Sequence, residues 1–340
     1  MALLLREDFK EFNNGWKYIK GDIADEAYLP DFDDSRFRTV SLPHTTRYVT
    51  DEDFAAYEGV SFYRKHVFIP DEASDYRIIL KFDAIMQSSK IYVNGKLVKE
   101  HLGGYMGVAM DITDYIIPGE DNLIAVRADS RGKSEFAPTA NKGIDFQFHG
   151  GIYRKAHLYA LNDIHISEPL MQSEPDMGGV IVKTSIQDET TATVNVRTYL
   201  NCKDEVDEIN VITSIYDEQG ELVAEADSVC YEVYDNMVIE DDLEIDEPVL
   251  WNTDNPYMYL LESKVILDGE IIDYQVNYIG IREIKWEKKG FFLNGKRVEL
   301  NGVNYHQDMF EIGNAEEEDD ILRDLRLIKE AGFKDRKSVV

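Results

Sequence analysis

The sequence contains few cysteines and no long apolar segment. Only Cys202 and Cys230 are present among 340 residues, in no CxxC pair and beside no histidine cluster, so a zinc site has almost no support. The pair leaves two alternatives, a disulfide or two reduced thiols in the core, and reduced thiols in a cytoplasmic protein are favoured. No segment approaches the roughly 18 apolar residues of a membrane helix, and no positive region of a secretory signal precedes the first apolar residues. We therefore expect a cytoplasmic location and no membrane partner.

Basic residues are also scarce. The chain has 36 basic against 66 acidic residues, for a net charge of −30. Binding to nucleic acid depends on Lys and Arg side chains that neutralise phosphates, and anionic membrane surfaces attract the same side chains, so neither partner is predicted. Solubility and mutual repulsion explain the acidity without a ligand. Hydrophobic residues make up 44% of the chain, which is typical of a globular protein, and the length indicates two or three domains.

From residue 36 to about 285 the pattern predicts β-strands almost throughout. Short segments such as YRIILKF (76–82) and TATVNVRTYL (191–200) are rich in β-branched and aromatic residues, and turn pairs such as Asn94-Gly95 separate them. Many short strands without intervening helices are typical of antiparallel sandwiches. A break near 161–180 and a weaker one near 280–290 divide the series. The acidic stretch IEDDLEIDEP (239–248) is predicted to be a strand with a solvated face.

The one persuasive helix comes last. Ile321, Leu325 and Ile328 recur at helical spacing, Asn314 is predicted as the N-cap, and Gly332 is placed for the left-handed position after the helix. A strand, a polar loop and a helix in this order predict the first βα unit of a parallel α/β fold.

The polar loop before this helix is the segment LNGVNYHQDMF (300–310). Polar side chains this dense at the end of an apolar strand form either a surface turn or part of a site. Common catalytic signatures are absent: the chain has no G-x-S-x-G, Walker loop, H-E-x-x-H or EF-hand loop. Two other loops, SLPHTTRY (41–48) and HLGGYMG (101–107), combine aromatic and polar residues that would suit a carbohydrate, with ordinary loop packing as the alternative.

Eight segments, in order along almost the whole chain, resemble the N-terminal part of glycoside hydrolase family 2, the β-galactosidase and β-glucuronidase family. They are VSLPHTTRY, YEGVSFYRKHVFIP, IYVNGKLVKEHLGGYMGVAMDIT, NLIAVRADS, FHGGIYRKAHL, LWNTDNPYMYLLE, YIGIREIKW and GFFLNGKRVELNGVNYHQD. The segment HQDMFEIGNA is most similar to β-galactosidase-type members, with β-glucuronidase as the second choice.

The resemblance implies a mainly β chain of three parts. A jelly-roll sugar-binding sandwich is expected over residues 1–163, and an immunoglobulin-like sandwich over 164–284. The truncated first βα unit of a (β/α)₈ TIM barrel is expected over 285–334. The family continues here into a second barrel strand, whereas DRKSVV (335–340) resembles the translation of a sequencing adapter. We expect these last residues to be a non-native tail that packs against nothing.

The resemblance further implies retaining hydrolysis of terminal β-linked sugars by two glutamates about 5 Å apart, both from later barrel strands. No catalytic residue is therefore assigned to this chain, which is expected to be inactive alone. Intact members often hold a Mg²⁺ or Na⁺ ion near the active site, but no ligand set can be assembled from these residues, and the intact enzyme can be a homo-oligomer. The alternative is a non-catalytic carbohydrate-binding β-sandwich protein, or a purely structural, adhesin-like one.

Site residues follow from the same resemblance. His306 matches the family histidine that lines the sugar subsite next to the scissile bond, and its expected role is hydrogen bonding to substrate hydroxyls. Asp308 and Asn304 are adjacent candidates, each with orientation of the loop as the alternative role. The family often has an acidic or amide residue where this chain has Thr45 and Thr46, which puts a substrate contact from that loop in doubt.

Overall fold

The computed structural model of the chain describes residues 6, 9, 11–46, 57, 59–131, 149–173, 177–187, 190–203 and 205–338. Two compact units are present. One combines Met1–Ala160 with Gly302–Val340, and the other is Leu161–Asn301. No helix of the described residues is long and apolar enough to cross a membrane.

The first unit begins with a two-sheet β-sandwich. Its strands are β1 (Trp16–Lys20), β2 (Arg38–Val40), β3 (Val60–Ile69), β4 (Arg77–Phe82), β5 (Ser88–Val93), β6 (Lys96–Leu102), β7 (Val108–Asp111), β8 (Glu120–Asp129) and β9 (Ala156–Leu161). They form a six-stranded sheet in the order β2-β1-β3-β8-β5-β6 and a three-stranded sheet in the order β7-β4-β9. Short 3-10 helices lie at Asp25–Tyr28, Asp71–Asp75 and Thr113–Tyr115. This is the expected jelly-roll sandwich.

Alternation along the strands builds the main core of this sandwich. In β5 and β8 the side chains of Ile91, Val93, Ile124 and Val126 are fully buried and meet Trp16 and Phe82 between the sheets. The opposite face of the six-stranded sheet carries a second, smaller cluster, in which Phe62, Leu123 and Ala125 are covered by Ala27 and Tyr28. The chain between Gly21 and Phe37 therefore packs across the outer face of the sheet.

A buried guanidinium holds that crossing segment in place. The side chain of Arg64, on β3, is completely inaccessible. It donates to Asp34 Oδ2 at 2.9 Å, to the carbonyl oxygens of Ala27, Leu29 (3.0 Å), Pro30 (3.5 Å) and Phe32 (3.4 Å), and lies over the Phe32 ring. A buried cation is tolerated only when its donors are used in this way.

The second unit is an immunoglobulin-like sandwich. Its strands are β10 (Ile164–Ile166), β11 (Val180–Ile186), β12 (Thr191–Cys202), β13 (Val206–Tyr216), β14 (Leu222–Val233), β15 (Met237–Asp246), β16 (Tyr259–Leu267) and β17 (Glu270–Ile279), and a 3-10 helix lies at Pro169–Met171. One sheet has the order β10-β12-β11 with β15 paired to β12, and the other has the order β14-β13-β16-β17. A three-stranded sheet of β18 (Ile284–Glu287), β19 (Gly290–Leu293) and β20 (Lys296–Val298) follows.

Two expectations for this unit can be compared with the structure. Cys202 and Cys230 are both free and buried in one core cluster, so they are the reduced thiols favoured above. The acidic stretch forms β15 with Ile239, Leu243 and Ile245 buried and with exposed carboxylates between them. Asp241 is the exception, because it is buried and accepts hydrogen bonds from Ser228 and Thr213.

The first unit is completed by a βαβ segment from the end of the chain. It consists of β21 (Gly302–Tyr305), α1 (Glu318–Glu330) and β22 (Asp335–Ser338), and the two strands pair in parallel. Gly332 has a φ of +85°, and the hydrogen bonds Gly332 N–H to Lys329 O and Phe333 N–H to Ile328 O end the helix as expected.

Two predictions for this segment are wrong. The N-cap is Glu317, which forms a capping box with Asp320, and not Asn314. The backbone carbonyl oxygen of Asn314 instead accepts a hydrogen bond from Arg154. Residues 335–338 were expected to make no contacts, but they pair with Gly302–Tyr305. Residues 339–340 lie outside the described residues. Strand pairing uses backbone groups, which any sequence supplies, and the Arg336 guanidinium also lies over the Tyr305 ring, 5.5 Å from its centroid.

Replacement of Arg64 tests the importance of the crossing segment. We expect Arg64→Met to lower the free energy of unfolding of the first unit by about 3 kcal/mol, because Asp34 and the carbonyl groups lose a buried donor. Urea unfolding followed by tryptophan fluorescence, with Trp16 in that unit, measures the change. Arg36→Met, at an exposed arginine of the same segment, is the control and should leave the transition unmoved. Equal midpoints for the two variants would contradict the assignment.

Candidate functional site

The polar loop predicted as a site joins the end of β21 to α1, over residues 306–317. Alternate residues of a strand face opposite sides. Tyr305 is buried, and its hydroxyl lies 3.4 Å from Glu316 Oε2 and 3.2 Å from Asp324 Oδ2, the latter on α1. Tyr305 therefore faces the helix, which places Asn304 and His306 on the face turned away from it, where both are exposed.

The helix-facing carboxylates form a buried structural group. Glu316 is 4% exposed, and burial, together with the charge of Asp324, raises the pKa of its carboxyl although Arg154 opposes the change. Burial and the same carboxylates also raise the pKa of the Tyr305 phenol, which stays protonated and donates to them. Glu316 thus holds the loop against β21 from the side opposite His306.

The other side of the loop is held by the jelly-roll sandwich through a histidine that sequence reasoning missed. His149 Nε2 lies 2.9 Å from Asp308 Oδ1, and the histidine side chain is completely buried. Its Nδ1 has no hydrogen-bond partner among the described residues, so a proton there would be buried without an acceptor. The proton is therefore best placed on Nε2, which donates to the Asp308 carboxylate.

A glycine allows the loop to approach this histidine. Gly313 has a φ of +57°, and a Cβ at this position would lie 2.4 Å from His149 Nδ1, so no larger residue fits without displacement of the ring. The loop is closed on itself by reciprocal backbone hydrogen bonds between Met309 and Gly313. This closure leaves Phe310 at the tip, 60% exposed.

Two further side chains of the sandwich bind the loop. Arg154 donates to the carbonyl oxygen of Asn314 and to Gln307 Oε1 at 3.4 Å. Thr45, which is buried, donates from its hydroxyl to the carbonyl oxygen of Ile312 at 3.1 Å. Thr45 therefore supports the loop.

The segment that carries Thr45 also forms backbone hydrogen bonds with residues 150–152, which precede Arg154. His44 N–H and Thr46 N–H donate to the carbonyl oxygens of Ile152 and Gly150, both at 2.8 Å. His44 is a core residue, since its Nδ1 lies 2.9 Å from the Tyr63 hydroxyl and burial lowers its pKa to about 4. Arg47 and Tyr48, which complete the motif, lie outside the described residues.

The loop at 101–107 shows packing instead of an open sugar site. Tyr105 packs against the buried cluster of Ala84, Met86 and Tyr153, and the Tyr153 hydroxyl donates to the carbonyl oxygen of Gly104. His101 Nε2 lies 3.1 Å from the carbonyl oxygen of Gly103, and burial lowers the pKa of this histidine. The polar and aromatic side chains of this loop, His101 and Tyr105, therefore pack within the domain, whereas Leu102 and Met106 are exposed.

The three predicted site residues are thus only partly brought together. Asn304 and His306 share a face at the end of β21, whereas the carboxylate of Asp308 is engaged by His149 and about a third of that side chain is exposed. No group of three or more His, Cys, Asp or Glu side chains suited to a metal ion occurs in the part of the chain that the structure describes. The described residues therefore supply no ligand set for the ion that the resemblance implies, and no chemistry is assigned to one.

Comparisons with protein families agree with this architecture. The model of the Glycosyl hydrolases family 2 sugar binding domain matches residues 26–162, the model named Glycosyl hydrolases family 2 matches residues 178–282, and the family's TIM barrel domain matches residues 284–338. The third match begins before β21, the strand that corresponds to the first barrel strand, and extends into β22, which pairs with it.

Individual relatives carry two enzyme names. A β-galactosidase of Thermoanaerobacter pseudethanolicus is 34% identical over 91% of this chain and 40% of its own length. A β-glucuronidase of Bacteroides fragilis is 32% identical over 94% of this chain and 44% of its own length. The chain spans about two fifths of the length of the first curated relatives it matches.

A solved structure shows the same arrangement of strands. The glycosyl hydrolase family 2 member of Bacteroides cellulosilyticus superposes with a TM-score of 0.85 at 30% identity, over 96% of this chain and 44% of that chain. With the matched models in family order from residue 26 to 338, the chain belongs to glycosyl hydrolase family 2.

Proposed function

We propose that this chain is the N-terminal part of a retaining β-glycosidase that hydrolyses terminal β-linked sugars, with β-galactosidase-like specificity. The observation that carries the proposal is the polar loop after β21, held by the jelly-roll sandwich at the end of the first barrel strand. Active sites of such barrels form at the carboxyl ends of the strands. Asn304 and His306 stand at that end, on the face away from α1.

His306 is proposed to bind substrate hydroxyl groups in the sugar subsite. An imidazole nitrogen beside the reacting sugar can accept a hydrogen bond from a substrate hydroxyl. This bond strengthens as positive charge develops on the sugar ring in the transition state, because the hydroxyl becomes a stronger donor. Asn304, on the same face, presents an amide that can both donate and accept, which suits a hydroxyl group. Asp308 acts through its hydrogen bond with His149 and is proposed to orient the loop.

The two catalytic glutamates are proposed to lie beyond this chain. Retaining hydrolysis needs two carboxyl groups about 5 Å apart that face the sugar. Glu316 and Asp324 both approach the Tyr305 hydroxyl, but they lie on the helix side of β21 and cannot reach a substrate beside His306. Glu317 is committed to the helix cap, so it is no candidate.

Helix α1 supports an enzyme over a free-standing carbohydrate-binding protein. Its apolar residues Ile321, Leu325 and Ile328 recur on one stripe, yet they are only half-buried, and none of the residues of the helix is fully buried. An amphipathic helix is stabilised mainly by burial of its apolar face. A binding module of two sandwiches has no use for such a helix, whereas a barrel provides further strands and helices to cover it.

A β-glucuronidase specificity is the second candidate. One relative with that name matches this chain at 32% identity, close to the 34% of the β-galactosidase. The two sugars differ in the configuration at C4 and in the carboxylate at C6 of a glucuronide, which a glucuronidase must bind with cationic or amide side chains. Initial rates on paired chromogenic β-galactoside and β-glucuronide substrates distinguish the two.

The 340-residue chain is expected to hydrolyse neither substrate. The longer reading frame from the same genomic locus should hydrolyse the β-galactoside, because it would supply both glutamates. Rates are measured by release of p-nitrophenol. The Glu316→Gln variant of the chain is the control, because residual activity that the variant retains does not come from Glu316. Hydrolysis by the chain that survives further purification would place the catalytic pair within these residues and overturn the proposal.

Substitution of His306 tests the sugar subsite in that longer protein. We expect His306→Ala to lower kcat/KM by about two to three orders of magnitude, through loss of a hydrogen bond that strengthens in the transition state. Glu311→Gln, at an exposed residue of the same loop, is the matched control and should retain activity. A loss smaller than threefold for His306→Ala, as for the control, would contradict a substrate contact.

A double-mutant cycle tests the role of Asp308 in the chain as it stands. If Asp308 only orients the loop, Asp308→Ala and His149→Ala should each lower the thermal unfolding midpoint of the first unit. The unfolding midpoint of the double variant should then be no lower than that of His149→Ala, which corresponds to a coupling energy of about 1–2 kcal/mol between the two side chains. Asp319→Ala, in the first turn of α1, is the control for loss of an exposed carboxylate. Additive effects would mean that the pair does not act as a unit.

A further inference from the structure

Three hydrogen-bonded side chains, Tyr305, Glu316 and Asp324, close the base of the loop at residues 306–317 and are called the loop-base group below. Tyr305 ends β21 and directly precedes His306, and Glu316 follows eleven residues later, where the chain returns to α1. The Tyr305 hydroxyl lies 3.4 Å from Glu316 Oε2 and 3.2 Å from Asp324 Oδ2 on the helix. One phenol therefore joins both ends of the loop to α1.

The loop-base group needs more protons than the phenol supplies. A phenol has one hydroxyl proton and donates to one acceptor at a time, while an ionised carboxylate can only accept. If both carboxyl groups were ionised, one of them would face the phenol oxygen with no proton between them. Tyr305 and Glu316 are both buried, and a buried charge without a donor is strongly unfavourable. The arrangement is satisfied when one carboxyl group keeps its proton and donates it to the phenol oxygen.

Burial and a neighbouring cation indicate which carboxyl group keeps the proton. Asp324 has 29% of its side chain exposed, and its other oxygen, Oδ1, accepts from the Arg323 guanidinium at 3.1 and 3.3 Å. Glu316, in contrast, is 4% exposed. A guanidinium favours the ionised form of its partner, whereas burial favours the neutral form. Asp324 is therefore the carboxylate of the group and Glu316 is the acid.

The charged groups around the loop-base group come from three parts of the first unit. They are Arg154 of the sandwich, Asp320, Arg323 and Asp324 of α1, and Arg336 of β22. Burial is the largest influence and raises the pKa of the Glu316 carboxyl, and the charges of Asp324 and Asp320 raise it further. Arg154 and the hydrogen bond with Tyr305 oppose this change, but the hydrogen bonds of Arg154 go to other acceptors in the loop. The net direction is upward.

We propose that Glu316 is a positioning residue that holds His306 in place as a neutral acid. Its carboxyl group donates to the Tyr305 hydroxyl, which in turn donates to Asp324, and this chain of hydrogen bonds fixes the end of β21. When Glu316 loses its proton, two negative charges face one phenol and the base of the loop loosens. The contact of Asp308 with the sandwich does not involve this proton, so the loop stays attached while His306 loses its fixed position.

The pH dependence follows from the direction of the pKa change. A carboxyl group whose pKa is raised by folding stabilises the folded chain fully below its ordinary pKa, and this contribution is lost as the pH rises through the raised value. The base of the loop should therefore be tight in acid and loose in alkali, the reverse of an ion pair. The consequence for His306 rests on the proposed function, whereas the proton on Glu316 is measured in the 340-residue chain without hydrolysis.

NMR titration of the side-chain carboxyl carbons measures this proton directly. The resonance that Glu316→Gln removes should titrate at higher pH than the one that Glu311→Gln removes, since Glu311 is an exposed glutamate of the same loop. Asp324→Asn should move the Glu316 titration to lower pH, because a neighbouring negative charge is lost. A Glu316 resonance that titrates with the exposed glutamates, or that does not respond to Asp324→Asn, would overturn the proposal.

Thermal unfolding of three forms of the chain tests the hydrogen bond. Glu316→Gln keeps a donor at every pH, Glu316→Ala has none, and the unmodified chain should change from the first behaviour to the second as the pH rises. Its unfolding midpoint should fall by about 2–4 °C relative to Glu316→Gln from about pH 5 to about pH 8. Glu311→Gln controls for the removal of a charge and should run parallel to the unmodified chain.

A Glu316→Gln curve that also runs parallel to that of the unmodified chain would contradict the proposal. If Glu316→Ala does not fold, the comparison with Glu316→Gln and the NMR titration still decide.

The pH profile of the longer protein tests the effect on His306. The ratio of kcat/KM for Glu316→Gln to that of the unmodified enzyme should rise by about threefold towards alkaline pH, and the ratio for Glu311→Gln should stay constant. A constant ratio for Glu316→Gln would overturn the positioning role. If the longer protein hydrolyses neither sugar, the proposed function fails, while the proton on Glu316 is still decided by the NMR titration of the 340-residue chain.

Discussion

The candidate site depends on the contact between the loop at residues 306–317 and the jelly-roll sandwich. His149 and Arg154 supply the side chains of this contact, and Gly313 provides the space for it. The two ends of the His149–Asp308 hydrogen bond are 159 residues apart in sequence. Since Tyr305 and Glu316 hold the loop from the helix side, the backbone before and after His306 is tied on both sides. The position of the backbone around His306 is thus set by the sandwich and by α1 together.

Local signals in the sequence predicted much of this architecture. The alternation of apolar and polar residues located the strands of both sandwiches, and the glycine at 332 ended α1 where the Schellman hydrogen bonds place it. The polar density after a short apolar strand also pointed to the loop that carries His306. These features are decided by residues within a few positions of one another, and for this reason the sequence alone was sufficient.

The features that were missed are those decided by distant partners. Asn314 has a side chain suited to an N-cap, but Arg154 binds its carbonyl group and Glu317 caps the helix three residues later. His149 resembles an ordinary loop histidine until Asp308 is brought to it. Asp241 lies in a strand expected to have a solvated face, yet serine and threonine hydroxyls from the facing sheet allow its burial. In each case a hydrogen bond across the fold overrides the local preference.

The end of strand β8 links the outer face of the six-stranded sheet with the loop contact. Arg127 and Asp129, near the end of this strand, form a row of ion pairs with Asp22 and Arg131 on that face. Ser130, the next residue, packs so closely on Gly150 that a Cβ at Gly150 would lie 2.8 Å from it. Gly150 directly follows His149, whose ring supports Asp308. Because the ion pairs hold the end of β8 and Ser130 packs on the residue after His149, the position of the barrel loop depends on the sandwich strand as well as on the histidine itself.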